Sequence, residues 1–178
     1  NVSIAKKHIE LGDIFQVVLS QRFEAKLQKK PLEIYKKIRK TNPSPFLYFI
    51  NYDDFQIVGS SPEILVRVKD NKITIRPIAG TRPRGKNKQK DNSLQKELLA
   101  DPKEISEHLM LLDLGRNDVG KFSETGTVKV DSQFKIEKYS HVMHIVSNVT
   151  GTLKKNSSLI DVLTVSYTHL TLPTIVDV

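Results

Sequence analysis

Apolar residues recur at every second position on both sides of two short polar turns, and this leaves few folds open to the chain. "FLYFINY" and "FQIVGSS" flank Asp53-Asp54, and "EILVRV" and "KITIRPI" flank Asp70-Asn71. Alternation of this kind puts the apolar side chains on one face of a strand, and a two-residue polar link between such runs signals a hairpin. The first half is therefore predicted to be a meander of antiparallel strands. A further long strand is predicted for "IFQVVLSQRFEAKL", rich in β-branched and aromatic residues, with Gln16 near its start. Strands return in "TVKVDSQFKIEKYSHVMHIVSNVTGTL".

Helical spacing replaces the alternation elsewhere. Ile4, Ile9 and Leu11 predict a helix over 2–11, stopped by Gly12. Pro31 opens a second, "PLEIYKKIRK", which must end before the two prolines of "TNPSP". A longer helical stretch is predicted over about 93–113, broken near Asp101-Pro102, and "SLIDVL" begins a last helix. Gly80 to Asn92 is polar, basic and glycine-bearing, and reads as a mobile loop. No internal repeat is evident.

Composition narrows the function classes. The 178 residues include no cysteine, which excludes disulfides, thiolate metal sites and cysteine nucleophiles and suits a cytoplasmic setting. No apolar run reaches the roughly 18 residues of a membrane span, so no membrane insertion is expected. The excess of 28 Lys and Arg over 20 Asp and Glu gives +8, a charge that could draw nucleic acid or an anionic small substrate. Many lysines lie in scattered stretches such as "LQKKPLEIYKKIRK", and no aromatic-rich strand offers a base-stacking platform. Nucleic acid is therefore the weaker reading.

The chemistry concentrates in "DPKEISEHLMLLDLGRND", residues 101–118. Asp101 as N-cap, Pro102 as first helical residue and Glu104 three beyond the cap form a helix start in which Glu104 reaches back to the cap amide. The alternative uses helix geometry: Glu104 and Glu107, three apart, share a face and can enter one cleft, one holding a hard cation and the other handling a proton. Spacing alone does not choose between them.

"GDIFQVVLSQRF", "NPSPF", "GSSPE", "PIAGTRPRG", "EISEHLMLLDLGRND" and "YSHVMHIVSNVTG" together, and in this order, resemble the C-terminal catalytic region of anthranilate synthase component I, among the chorismate-utilising enzymes. The match covers about residues 5–163. The resemblance implies an α+β fold, a sandwich of large antiparallel sheets flanked by helices. It implies a magnesium-dependent lyase reaction in which chorismate takes up ammonia and loses pyruvate to become anthranilate, the first step of tryptophan biosynthesis. It also implies a glutamine amidotransferase partner, component II, as ammonia source.

Carried over by residue, the resemblance makes Glu107 a magnesium ligand and Glu104 the general base of pyruvate elimination. His144 would assist that elimination, although alternation alone also fits it as a packed residue in the row Val142, His144, Val146. Gly80 and Thr81 would contact chorismate through backbone and hydroxyl. Surface solvation is the default for Arg82 and Arg84, and His108 and His141 are taken as structural. Ala79 stands where aminodeoxychorismate synthases, the folate-pathway relatives, often carry a ring-attacking lysine. Gln16 stands where isochorismate and salicylate synthases carry a water-activating lysine. Both positions favour the ammonia-using branch. Pro45, Phe46 and Leu47 fall on part of the tryptophan feedback site, with Phe and Leu where the family often has Tyr and Met.

The family would continue after "LIDVL" into a "GTLSGAPK" segment, a substrate-binding arginine and a second glutamate ligand. Here "TVSYTHLTLPTIVDV" follows. The expectation is a partial catalytic domain over 1–163, a foreign tail over 164–178, and a fragment inactive by itself.

Overall fold

The structure is a computed structural model and describes residues 1–14 and 16–170. The chain divides into two compact units, Asn1–Ser60 and Ser61–Val178.

In the first unit α1 (Val2–Glu10) is followed by α2 (Pro31–Thr41), β1 (Phe46–Asn51) and β2 (Gln56–Ser61). Pro31 stands at the start of α2, where its missing N–H costs nothing, and the helix stops before Pro43. Tyr35 of α2 packs on Phe49 of β1, ring centroids 6.0 Å apart. The hairpin expected around Asp53-Asp54 forms, closed by Tyr52 N–H donating to the Phe55 carbonyl at 2.9 Å. The strand expected over 14–27 does not: residues 16–27 carry no regular secondary structure, and Val18, Phe23 and Leu27 are exposed. Strand propensity is a preference for a pleated, half-buried surface, and without a pairing partner it is not realised.

The second unit contains β3 (Arg67–Lys69), β4 (Lys72–Ile75), β5 (Ile78–Pro83), α3 (Lys88–Ala100), α4 (Pro102–Phe122), β6 (Lys129–Lys138), β7 (Val142–Thr152) and α5 (Leu159–Leu170). The long strand β7 organises a five-stranded antiparallel sheet, with β6 along one edge and β4 then β5 along the other. The β3–β4 turn places Asp70 and Asn71 at φ 51° and 57°, the left-handed pair that a two-residue hairpin demands. Pro77 separates β4 from β5, and its carbonyl still accepts from Ser147 N–H at 3.1 Å.

Alternation along β7 sorts its two faces. Met143 and Ile145 pack with Leu98 of α3, and Val149 packs with Leu112 and Val119 of α4, together with Ile73 and Val162. His144 lies on the opposite face, where its register partners are Thr81 and Glu137. The break between α3 and α4 falls at Asp101 as expected, because Pro102 cannot continue α3 and Asp101 caps α4.

One boundary differs from expectation. The stretch 80–92 is not a long mobile loop: β5 runs to Pro83, α3 starts at Lys88, and Arg84 ties the short link to Asp91 at 2.6 Å. The helix that begins in "SLIDVL" runs on to Leu170, into the stretch expected to be a foreign tail, with Val162 and Ser166 buried. Residues 171–178 of the expected tail lie outside the described residues. Among the described residues no helix is long and apolar enough to cross a membrane.

Candidate active site

Gly80 sits at a register shift between β5 and β7, at φ 85°, a backbone conformation that side chains disfavour. A Cβ there would lie 2.9 Å from Ile145 Cδ1 and 3.4 Å from Glu104 Oε2. The glycine thus lets α4 bring a carboxylate against the strand backbone. At the same glycine, His144 Nδ1 lies 3.0 Å from Thr81 Oγ1 and 3.4 Å from the Gly80 carbonyl. A carbonyl only accepts, so both contacts are satisfied when Nδ1 carries a proton and donates it. The His144 ring meets Tyr139 edge-on at 5.6 Å. Tyr139 donates to Glu137 at 2.9 Å, and Glu137 also pairs with Arg76. Burial foremost, then the Glu137 contact, pushes the Tyr139 hydroxyl above its ordinary pKa.

Glu104 is half-buried in the first turn of α4. Capping is done by Asp101, which accepts from the backbone N–H of Lys103 at 3.0 Å and of Glu104 at 3.4 Å. The Glu104 side chain turns to Arg82, whose Nη1 lies 3.4 Å from Oε1. Arg82 also reaches Glu97 at 2.8 Å and Asp101 at 2.7 Å. Glu97 first and Asp101 next hold the guanidinium above its already high pKa, and the Arg82 contact holds the Asp101 carboxyl below its usual range. The expectation of a solvated Arg82 is therefore corrected: its side chain is 18% exposed and bound to three carboxylates. Arg84 is engaged likewise. It forks onto Asp91, whose pKa falls to about 2 through Arg84 foremost and the Gly85 N–H next.

Glu107 is half-buried on the next turn of α4, three residues from Glu104 and so on the same side of the helix. Its carboxylate is a hard donor that suits Mg²⁺. Among the described residues, however, no three His, Asp or Glu side chains converge to hold a metal. The donor set fits an open site, in which one carboxylate shares the ion with water and an oxygen-bearing ligand, and does not fit a closed protein cage.

His108 is fully buried, as a structural role requires. Phe134 N–H donates to Ser147 Oγ at 3.1 Å, so the serine hydroxyl is free to donate to His108 Nε2 at 2.7 Å. His108 Nδ1 makes no well-formed hydrogen bond, although the Ala79 backbone opposes the effect of burial, which lowers the imidazole pKa. The relay joins α4 to both bulged strands, at Ala79 beside Gly80 and at Phe134, where φ is 52°. Nothing in a single sequence marks such a pairing, because Ser147 is 39 residues from His108.

The remaining sequence candidates lie in the first unit. Gln16 is half-buried in the irregular stretch before α2. Pro45 leads into β1, which Phe46 and Leu47 open, and just before it Ser60 of β2 donates to the Asn42 carbonyl and bonds Ser44, both at 2.8 Å. The "NPSPF" turn is thereby tied to the "GSSPE" strand. A cavity of about 300 Å³ lies in the second unit beside Arg76 and Pro77, lined also by Leu111 and Asp118, and does not include Gly80, Thr81, Glu104 or His144.

Residues 1–171 match the family described as chorismate binding enzyme. The chain belongs to that family. It is 54% identical over 162 residues to anthranilate synthase component 1 of Cereibacter sphaeroides, covering 91% of this chain and 32% of that protein. It is 56% identical over 158 residues to the Pseudomonas aeruginosa protein of the same name, covering 89% and 32%. The chain thus spans about a third of the curated relatives it matches. The crystal structure of anthranilate synthase component I from Streptococcus pneumoniae superposes with a TM-score of 0.84 at 44% identity, over 92% of this chain and 36% of that one. This likeness agrees with the expected α+β architecture. An isochorismate synthase structure from Bacillus anthracis, at 22% identity and a TM-score of 0.64, shares the fold.

Proposed function

We propose that the chain is part of an anthranilate synthase component 1 and that its α4–β5–β7 cluster forms one wall of the chorismate site. The observation that carries the reading is Gly80: the Glu104 carboxylate comes within 3.4 Å of where its Cβ would be, and His144 touches its carbonyl and the Thr81 hydroxyl. Chorismate is a dianion, and the cluster offers backbone, hydroxyl and imidazole groups that already lie within 3.4 Å of one another. The Gly80 backbone and the Thr81 hydroxyl hold the substrate. Glu104 removes a ring proton as the enolpyruvyl group leaves, and the ring becomes aromatic. His144, with its Nδ1–H held by Gly80 and Thr81, turns Nε2 to the departing enolpyruvyl oxygen, and a proton on Nε2 would be donated to that oxygen as the ring C–O bond breaks. Glu107 would be the contribution of this chain to Mg²⁺, which when bound neutralises the substrate carboxylate.

Gln16 and Ala79, where relatives of other specificity carry lysine, support ammonia as the nucleophile, supplied by a glutamine amidotransferase. Pro45, Phe46 and Leu47 are proposed as part of a tryptophan feedback site, and a cytoplasmic location goes with this reading. Residues 164–178 are proposed to be foreign to the domain. A family-like frame downstream of Thr164 in the source gene would support this.

The deciding experiment assays the protein encoded by the complete gene with chorismate, ammonia and Mg²⁺, separating ortho from para aminobenzoate. Anthranilate formation, lost in E104Q and with a raised Mg²⁺ requirement in E107Q, is expected. Para product would move the chain to the aminodeoxychorismate branch, and full activity of E104Q would remove that residue from the proton step.

A further inference from the structure

We infer that Arg82 is a positioning residue whose guanidinium fastens the α3–α4 elbow to the end of β5 and so fixes the Glu104 carboxylate against Gly80. Each nitrogen of the fork has its own task. Nε donates to Glu97 of α3 at 2.8 Å, Nη2 to Asp101 at the elbow at 2.7 Å, and Nη1 to Glu104 at 3.4 Å and to the Thr81 carbonyl at 2.9 Å. A planar guanidinium can satisfy these directions together, and an ammonium cannot. Three carboxylates on one cation leave no net positive charge to recruit a substrate anion. The side chain, 18% exposed, is already spent inside the protein.

The arrangement also explains why Glu104 does not turn outward. A first-turn glutamate ordinarily swings back toward the backbone N–H of the cap residue or into water, but here the Asp101 N–H already donates to the Leu98 carbonyl at 3.4 Å. With one oxygen drawn to Arg82, the other comes to rest 3.4 Å from the position a Gly80 Cβ would occupy. The three carboxylates are not equal in this. Asp101 is fixed by its capping bonds, whereas the Glu97 side chain is 57% exposed and the most dispensable of the three.

This inference rests on the proposed role of Glu104, but its test needs no catalysis. In the 178-residue chain, nuclear Overhauser contacts from the Glu104 side chain to Gly80 Hα and the Ile145 δ1 methyl report its placement. Leu98–Ile145 and His108–Phe134 contacts report the core. The expected result is that R82Q loses the Glu104 contacts and keeps the core contacts, R82K restores them partly, and E97Q leaves them in place. Undiminished Glu104 contacts in R82Q, or their absence from the wild type, would overturn the inference. Loss of the core contacts in both R82Q and R82K would also overturn it, because Arg82 would then be a general prop of the fold. The contacts are read without substrate, so an active E104Q would refute the base and leave this result standing.

Discussion

Replacing Gly80 by alanine separates backbone strain from crowding, because Gly126 provides the control. Both glycines sit in left-handed backbone, at φ 85° and 78°. A Cβ at Gly126 meets nothing within 4 Å, whereas one at Gly80 lies 2.9 Å and 3.2 Å from Ile145 Cδ1 and Cγ1. Left-handed backbone costs a non-glycine residue about 1–2 kcal/mol. Reduced freedom of the unfolded chain returns about 0.5–1 kcal/mol of that. Gly126→Ala is therefore expected to cost about 1 kcal/mol. Ile145 is fully buried, so its methyl has no space to retreat into. Overpacking adds about 1–3 kcal/mol, and Gly80→Ala should cost about 2–4 kcal/mol in all. In urea, with a slope of about 1–3 kcal/mol per molar, the two variants should differ in midpoint by about 1 M. Equal midpoints would refute the argument, since a Cβ meets Ile145 and Glu104 at Gly80 and nothing within 4 Å at Gly126.

Other perturbations follow from the same contacts. Ser147→Ala strips a partner from the Phe134 N–H and from His108 Nε2 together, and should cost about 2–5 kcal/mol by denaturant unfolding, more than an exposed Ser106→Ala. Asp91 has a folded pKa below its unfolded one, so its stabilisation is complete above the ordinary carboxylate range and is lost as pH falls toward about 2. The Asp91→Asn variant should show a shallower loss of stability than the wild type between pH 4 and pH 2, followed by thermal unfolding.

Much of this molecule could be read from local pattern. Both hairpins, the start of α2 at Pro31 and the break at Asp101-Pro102 need only alternation, proline sterics and capping chemistry, which are properties of neighbouring residues. The motifs around Gly80, Glu104 and His144 pointed to the family that the comparisons bear out. The misreadings share one cause. Residues 14–27 have strand composition, but a strand needs a ladder partner, which local composition cannot supply. The basic stretch after Gly80 looked free because the carboxylates that hold Arg82 come from α3, α4 and the break between them, and because Asp91, inside the stretch, is brought to Arg84 by the first turn of α3.

Local sequence by itself determined the order of the elements, most of their limits and the chemical inventory of the site. Tertiary structure decided which of those groups meet. It turned Glu104 from its own helix cap toward Arg82, brought that carboxylate and His144 to Gly80, and buried His108 on Ser147. Backbone preference acts over a few residues and leaves its mark on local sequence. Contacts that span 22 to 64 residues depend on how the helices lie across the sheet, and that is set by packing of the whole core.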